Sequence, residues 1–419
     1  MKRFPATACV ALFFLLAVFL TGCLGEPPVN TDWATPAGAG VSGNGDGIQD
    51  ALSAYAQALV DKDRDKFAST LDAANTSFAA AELQKFDNLR DVPFDRYVIN
   101  LSNLSEAADG TVTAKVTSGY TLRDSFPELP DLDRAAYFLI NRGDGWKISG
   151  DASVQALGKP REARFEDFGK VEVLNSGRAI VLFQEPQRET AIQALTMVQS
   201  ALPRLEEVVP GTSLPKVPVR VYAGITEINQ TFPGKWQEWT GGASRQLGEK
   251  TGQGGEIIID AQVFIDTNRT TPGYNQKMMA HELTHISLFP LTGNRTPPFL
   301  IEGMADYVAG IEDVVLLKER LRAGGAYSPT LRDLYQPGSF TVLLNTDAAT
   351  LAYEEADTAV ALLEQKYGNE RVMSLLREFQ RHEQDKQSQD VIVDDVFRSG
   401  LRTGWNDFEN EWRAFVLGN

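Results

Sequence analysis

Apolar residues between positions 48 and 148 change their spacing from helical to alternating. Between 48 and 67 they recur at near-helical intervals, which predicts an amphipathic helix. From about 97 onward they alternate with polar residues, which predicts two β-hairpins, 97–101 with 112–116 and 137–140 with 146–148. The helical set is Ile48, Leu52, Tyr55, Leu59 and Phe67. Helices followed by a curled antiparallel sheet predict a small α+β domain over 48–158.

A second domain is predicted from about residue 165 to the end, again with mixed helices and strands. Residues 180–183, 217–221 and 257–259 are strand candidates, and Pro215 and Pro218 are expected to confine the second of these to a sheet edge. The segment 254–260 fits either an edge strand beside a cleft or a core strand. A long helix is predicted whose apolar face comprises Ile192, Leu195, Val198, Leu202, Leu205 and Val209. The predicted fold class is therefore two-domain α+β, with a mainly helical C-terminal lobe.

The N-terminus predicts export. Lys2 and Arg3 precede an apolar run that ends in Leu20-Thr21-Gly22-Cys23, and a basic end, a short apolar core and small residues are typical of a signal peptide, here 1–22. The final four residues resemble the bacterial lipobox. That resemblance implies cleavage before Cys23, a lipid on its side chain, and a site at the extracytoplasmic face of the cell membrane. The alternative is ordinary secretion with an incidental cysteine.

The cysteine content, the composition of residues 23–47 and the net charge each restrict what the mature chain is expected to form or bind. The other cysteine, Cys9, lies in the predicted signal peptide, so the mature chain is expected to hold no internal disulfide. Residues 23–47 are rich in Gly and Pro and predict a flexible linker. A formal net charge of −16 argues against binding nucleic acid, and the simplest interpretation of this charge is solubility.

Metal chemistry is indicated by His281-Glu282-Leu283-Thr284-His285, an H-E-x-x-H sequence. On a helix, His281 and His285 share one face and can bind one metal ion, and Glu282 can act beside it as a general base. The helix is predicted to begin near Tyr274 and to end before Pro290. A catalytic zinc site needs a third protein ligand and an open position for water.

The third ligand is expected to be a carboxylate, because His382 lies far along the chain in a polar stretch that predicts a surface residue. Glu302 and Asp306, in Phe-Leu-Ile-Glu-Gly-Met-Ala-Asp-Tyr at 299–307, resemble the E-x-x-x-D segment of the gluzincin superfamily, the thermolysin-like zinc peptidases. The resemblance covers roughly 165–419. It implies that Glu302 completes a His₂Glu site for one Zn²⁺ and that Asp306 hydrogen-bonds a ligand histidine. It also implies that Tyr353, just before a long helix, stabilises the oxyanion, although a packing role for Tyr353 is equally compatible with the sequence.

The domain at 48–158 is similar to the cone-shaped nuclear transport factor 2 and cystatin-like fold, and it contains no histidine. We expect it to be a spacer or accessory domain. The leading functional hypothesis is a membrane-anchored zinc peptidase that hydrolyses peptides or proteins outside the cytoplasm. Two alternatives stay open: an envelope binding or assembly factor that keeps the fold, and a zinc hydrolase of a cell-wall amide.

Overall fold

The computed structural model describes most of the chain after residue 44. The described residues are 45–127, 133–211, 213–233, 241–247, 254–310, 315–323, 330–342 and 346–418. The predicted signal peptide, Cys23 and most of the predicted linker therefore lie outside the described residues. Within the described ranges, no helix combines the length and apolar character that crossing a bilayer requires.

Residues 45–158, called the N-terminal unit below, form helices followed by an antiparallel sheet. The strands pair in the order β1-β2-β3-β4. The helices are α1 (Gly45–Asp61), α2 (Arg64–Ser69), α3 (Thr76–Leu89) and α4 (Ser153–Leu157), and the strands are β1 (Phe94–Glu106), β2 (Val112–Leu122), β3 (Asp133–Asn141) and β4 (Trp146–Asp151). Both predicted hairpins are present, as β1 with β2 and β3 with β4.

Two details of the first predicted helix are wrong. α1 begins at Gly45, inside the segment predicted as linker. Phe67 is not on α1, because Lys62 adopts a left-handed conformation (φ 58°) and ends that helix. Asp63 then caps α2, and its side chain accepts a hydrogen bond from the Lys66 amide at 2.9 Å. Phe67 still reaches the same core, where its ring lies 4.4 Å from that of Tyr55.

Residues 165–418, called the C-terminal unit, contain a five-stranded sheet and a set of helices. The strand order is β5-β6-β7-β9-β8, with β6, β7 and β9 parallel and the two outer strands antiparallel. The strands are β5 (Glu172–Ser176), β6 (Ala179–Phe183), β7 (Val217–Tyr222), β8 (Gly242–Leu247) and β9 (Gly254–Asp260). The helices are α5 (Arg188–Val208), α6 (Ile225–Thr231), α7 (Ala261–Thr270), α8 (Tyr274–Leu288), α9 (Pro298–Ala309), α10 (Val315–Ala323), α11 (Thr346–Tyr367), α12 (Asn369–Arg381), α13 (Gln389–Leu401) and α14 (Trp405–Leu417). The predicted α+β class is confirmed.

The prediction that β7 is an edge strand is wrong, since β7 lies between β6 and β9. Val217 donates its amide to Arg178 on the β6 side at 2.9 Å. Successive residues of a strand direct their amides to opposite sides, so the amide that Pro218 lacks would face β9. Pairing with β9 begins only at Val219, and the missing donor therefore costs no ladder hydrogen bond.

The order of strands also decides between the two interpretations of 254–260. β9 is an interior strand, and the described edge beside α8 is β8, which the sequence patterns did not reveal. The predicted apolar face of α5 is wrong at Ile192, whose surface is 49% exposed. The small residues Ala191, Ala194 and Ala201 occupy the buried face together with Val198, because α5 packs closely on the sheet and on α8.

The two faces of the five-stranded sheet contact different parts of the chain. Alternate residues such as Val181, Val219 and Ile257 belong to the core shared with the helices of the C-terminal unit. The intervening residues pack into the core of the N-terminal unit instead; they include Ile180, Leu182, Tyr222 and Ile258, joined by Phe165. The N-terminal unit therefore forms one layer over the sheet, with helices as the layer on the other side.

Polar contacts join the same two layers. The amide of Val171 donates to the carbonyl of Asn88, and that of Lys216 to the carbonyl of Asp124, both at 2.9 Å. The Arg220 guanidinium on β7 lies 5.6 Å from the centre of the Tyr120 ring, a distance suited to a cation–π contact. The N-terminal unit is thus packed onto the sheet and hydrogen-bonded to it.

We expect a fragment of residues 159–419 to lose cooperative folding, because the sheet face that packs against the N-terminal unit would be exposed to water. Each of those apolar side chains contributes about 1.5–3 kcal/mol when buried, and a whole domain is stable by only about 5–15 kcal/mol. Thermal unfolding of this fragment, followed by circular dichroism beside residues 45–419, measures the effect. A fragment that melts as sharply and at the same temperature as the longer chain would contradict this layer arrangement.

Candidate metal centre

The helix that carries the H-E-x-x-H sequence is buried on nearly every side. α8 follows Gly273, whose φ of 87° suits glycine, and ends where Pro290 enters a short 3₁₀ turn, Phe289–Leu291. His281 and His285 lie one helical turn apart, and their Nε2 atoms are 2.9 Å apart. Both predicted histidine ligands therefore direct the same ring atom at one point.

Glu302, from the second turn of α9, reaches the same point. Its Oε2 lies 3.4 Å from Nε2 of His281 and 3.5 Å from Nε2 of His285. Three ligands at about 2.1 Å from a tetrahedral zinc ion would be separated by about 3.4 Å. The three side chains are buried and form the one group of potential metal ligands found among the described residues. Oε2 of Glu302 is buried and makes no hydrogen bond within the described chain, so these residues fit a metal ion.

Asp306 lies one turn beyond Glu302 and fixes the orientation of a ligand ring. Its Oδ1 is 2.7 Å from Nδ1 of His281. In the neutral ring, which is the form that binds a metal, a proton on Nδ1 leaves Nε2 as the lone-pair atom that faces the centre. The structure thus places Asp306 within hydrogen-bond distance of His281.

The centre is charged even though it is buried. Burial lowers the pKa of His281, but the charge of Asp306 and its hydrogen bond outweigh burial and raise that pKa to about 10. For Glu302, burial raises the pKa, but the positive charge of His285 and the closeness of both imidazoles lower it to about 2. The cluster holds Glu302 as a carboxylate, which is the form that binds a cation.

Glu282 contacts the neighbouring sheet edge. The amide of Ser244 on β8 donates to its Oε2 at 2.6 Å. Its side chain is buried, and burial raises its pKa above the usual value for a glutamate. A buried carboxylate with a raised pKa is suited to taking up and returning a proton near neutral pH.

Tyr353 lies inside α11, seven residues after its start at Thr346, whereas the sequence placed it just before a long helix. Its ring centre is 6.4 Å from that of His281 and 5.1 Å from that of Phe340. Its hydroxyl is buried without a hydrogen-bond partner among the described residues. Burial and the nearby carboxylates raise its pKa well above 10. The hydroxyl is therefore a neutral donor close to the centre.

His382 is not part of the centre. It follows α12, and its Nδ1 lies 2.7 Å from the Asp385 carboxylate on a partly exposed surface. The structure brings together His281, Glu282, His285, Glu302, Asp306 and Tyr353, and it leaves the third histidine outside, where the sequence placed it.

Sequence patterns missed Gly303, the residue next to Glu302. A Cβ atom at this position would lie 2.2 Å from the carbonyl oxygen of Ala356 on α11 and 2.8 Å from the Val360 side chain. The backbones of α9 and α11 can approach this closely only because Gly303 has no side chain. The Glu-Gly dipeptide could have indicated this close contact, because a glycine inside a helix usually has a packing reason.

Comparisons with known proteins give distant structural similarities. No protein-family model matches the chain, and no curated protein matches it in sequence. The chain is similar to the M1 zinc metallopeptidase from Deinococcus radiodurans, at 14% identity over 78% of this chain and 62% of that one, with a TM-score of 0.29. A structure of a mutant of that peptidase bound to a Tyr-Ser-Ala substrate matches at 13% identity, over 76% of this chain and 61% of the other, with a TM-score of 0.28.

A quarter of the chain is also similar to a proposed aromatic ring hydroxylase from Novosphingobium aromaticivorans, at 17% identity, over 83% of that chain, with a TM-score of 0.20. The matched region spans about three fifths of the length of the two metallopeptidase structures.

We predict that Gly303→Ala destabilises the protein, although alanine is the better helix former by about 1 kcal/mol. The added Cβ would collide with the backbone carbonyl of Ala356, which cannot move aside as a flexible side chain can. Helix α11 must therefore move away from α9. Thermal unfolding should show a lower midpoint than for the unchanged protein, and metal analysis should show weaker metal retention. An unchanged or higher midpoint would contradict the close packing of these helices.

Proposed function

We propose that this chain is a zinc-dependent peptidase that acts outside the cytoplasm while anchored to the cell membrane by a lipid on Cys23. The observation that carries the proposal is the convergence of three buried ligand atoms, from His281, His285 and Glu302, beside a buried glutamate. Two imidazoles and one carboxylate form a donor set typical of catalytic zinc, which keeps a fourth position open.

Zinc, when bound by these three residues, would supply a Lewis acid that polarises the scissile carbonyl and acidifies a water molecule. Glu282 would accept the water proton and deliver it to the leaving amine. Attack on the carbonyl carbon forms a carbon–oxygen bond, and the carbon–nitrogen bond breaks as the amine takes the proton. The Tyr353 hydroxyl would donate a hydrogen bond to the developing oxyanion. Asp306 would keep the His281 ring in one tautomer and orientation throughout.

The membrane part of the proposal depends on sequence alone. Signal peptide 1–22 and the lipobox-like residues 20–23 support export and lipidation of Cys23, and the Gly- and Pro-rich residues after it support a tether. No nucleic acid is expected as a partner of a chain with a net charge of −16.

Glu282 favours a peptidase over a protein that only binds at the envelope. Burying a carboxylate has a free-energy cost, and binding alone would not require it next to the ligand histidines. Hydrolysis of a cell-wall amide would use the same residues, so this alternative differs from the proposal in substrate and not in the chemistry of the centre.

The central test combines metal analysis with cleavage of a peptide library by soluble protein that begins after Cys23. We expect about one zinc ion per chain and cleavage that Glu282→Gln lowers by about 100-fold or more, because the variant cannot take up a proton. Glu282→Gln should retain its zinc, since Glu282 is not a ligand. Zinc binding without Glu282-dependent cleavage of any peptide, but with cleavage of cell-wall fragments, would favour the amide hydrolase; no hydrolysis of either would favour the binding factor.

We further predict that Tyr353→Phe lowers kcat by about 100-fold, as removal of an oxyanion donor does, while zinc content and KM stay close to those of the unchanged enzyme. Steady-state kinetics on a peptide identified from the library checks this. Because the hydroxyl has no described partner, its removal should not lower the unfolding midpoint. Full turnover in a zinc-loaded Tyr353→Phe protein would leave Tyr353 with a packing role only.

A further inference from the structure

Strand β8 places a main-chain amide at the candidate general base. Ser244 lies opposite Ile257 of β9, but its N–H does not bond β9; it donates to Oε2 of Glu282 on α8. In an antiparallel pair, a residue that bonds away from its partner strand directs both of its main-chain polar groups to the outer side. Within the described residues, β8 is the last strand on this side of the sheet, so the outward side of β8 faces α8.

Small residues let α8 approach this edge. A Cβ on Gly242 of β8 would lie 2.5 Å from the sulfur of Met278, and one on Gly255 of β9 would lie 2.7 Å from Ile286. Both contacted side chains belong to α8. Since neither glycine presents a side chain, α8 lies close enough for a glutamate side chain to reach the strand backbone.

We infer that Ser244 is a positioning residue for the hydrolysis proposed above: its main-chain N–H holds Oε2 of Glu282 and leaves Oε1 as the oxygen that takes and returns the proton. This inference rests on the proposed function, but the contact itself does not. On this inference, β8 orients the base and also forms the described edge of the sheet.

The surroundings make this hydrogen bond effective. Glu282 is 2% exposed and Ser244 is 4% exposed, so bulk water competes little for the carboxylate. A hydrogen bond to a charged acceptor in such a place is shorter and roughly twice as strong as one between neutral groups. Because one oxygen is held by the Ser244 N–H, the Glu282 carboxylate cannot rotate freely. This restriction matters because an efficient base must stay within about 0.5 Å of its productive position.

Arg245, the next residue of β8, makes its contacts on the opposite face of the sheet. Arg245 donates to Oε1 of Glu256 at 2.8 Å, on the side that faces the N-terminal unit. Glu256 is buried and also pairs with Arg220 at 3.1 Å. These charged contacts fix β8 against β9 on that face, so the position of the Ser244 amide is set by the sheet.

Amide hydrogen exchange tests the contact without any turnover. In protein labelled with ¹⁵N-serine, the Ser244 resonance is assigned by its absence in Ser244→Ala. We expect this amide to exchange about tenfold faster or more in Glu282→Ala than in the unchanged protein, because a hydrogen bond to a charged group is lost. Equal exchange in both proteins would overturn the inference.

The catalytic consequence is tested by removing the N–H itself. Ser244→Pro should lower kcat by about 100-fold, with KM within about threefold and zinc content unchanged, because the base is present but no longer oriented. Gln246→Pro is the matched control: Gln246 lies two residues further along β8, its N–H points to the same side, and turnover should be close to that of the unchanged enzyme. Equal loss in both variants, or a rise in KM alone, would overturn the inference.

The two measurements separate failure of the inference from failure of the proposed function. If the unchanged protein neither binds zinc nor cleaves peptides, the proposed function fails, while the exchange of the Ser244 amide still decides whether the contact exists. If the unchanged protein is active and Ser244→Pro is as active as its control, the function stands and the inference fails. If Ser244→Pro does not fold, the exchange experiment decides alone.

Discussion

The centre depends on three buried helices that pack closely enough for their polar side chains to meet in one place. Glu302 and Asp306 reach His281 only because α9 lies directly against both α8 and α11, and Gly303 permits that approach by presenting no Cβ to the Ala356 carbonyl. Buried carboxylates and imidazoles are costly when unpaired. Here the charges of the histidines and carboxylates partly neutralise one another. The packing that buries these groups therefore also lowers the free-energy cost of burying them.

The five-stranded sheet links this centre to the rest of the chain. One face carries α5 and α8, and the other face is covered by the N-terminal unit, whose core includes Ile180 and Ile258. The sheet edge in turn supplies the amide that contacts Glu282. A unit predicted to be a spacer or accessory domain therefore packs against the sheet that positions a residue of the centre. This physical connection does not depend on any ligand of the N-terminal unit.

Two oxygens of neighbouring side chains have contrasting environments. Oε2 of Glu302 faces both histidines and has no hydrogen-bond donor within the described residues, which suits a metal ligand. Oε2 of Glu282 accepts a hydrogen bond from a strand amide, which suits a base whose other oxygen must stay available. Similar carboxylates on adjacent helices thus lie in different surroundings because different backbone elements lie beside them.

Sequence alone determined the parts of this protein that depend on local spacing. The i,i+4 histidines, the helix end before Pro290, both hairpins, and Glu302 with Asp306 follow from helical and strand periodicity and from a short motif. Tertiary structure decided the rest. The interior place of β7 despite Pro218, the exposure of Ile192, the edge position of β8, the close contact at Gly303 and the bond from Ser244 to Glu282 all depend on which elements become neighbours. Neighbours distant in sequence leave no periodic pattern, because each side chain adapts to a surface that another part of the chain supplies.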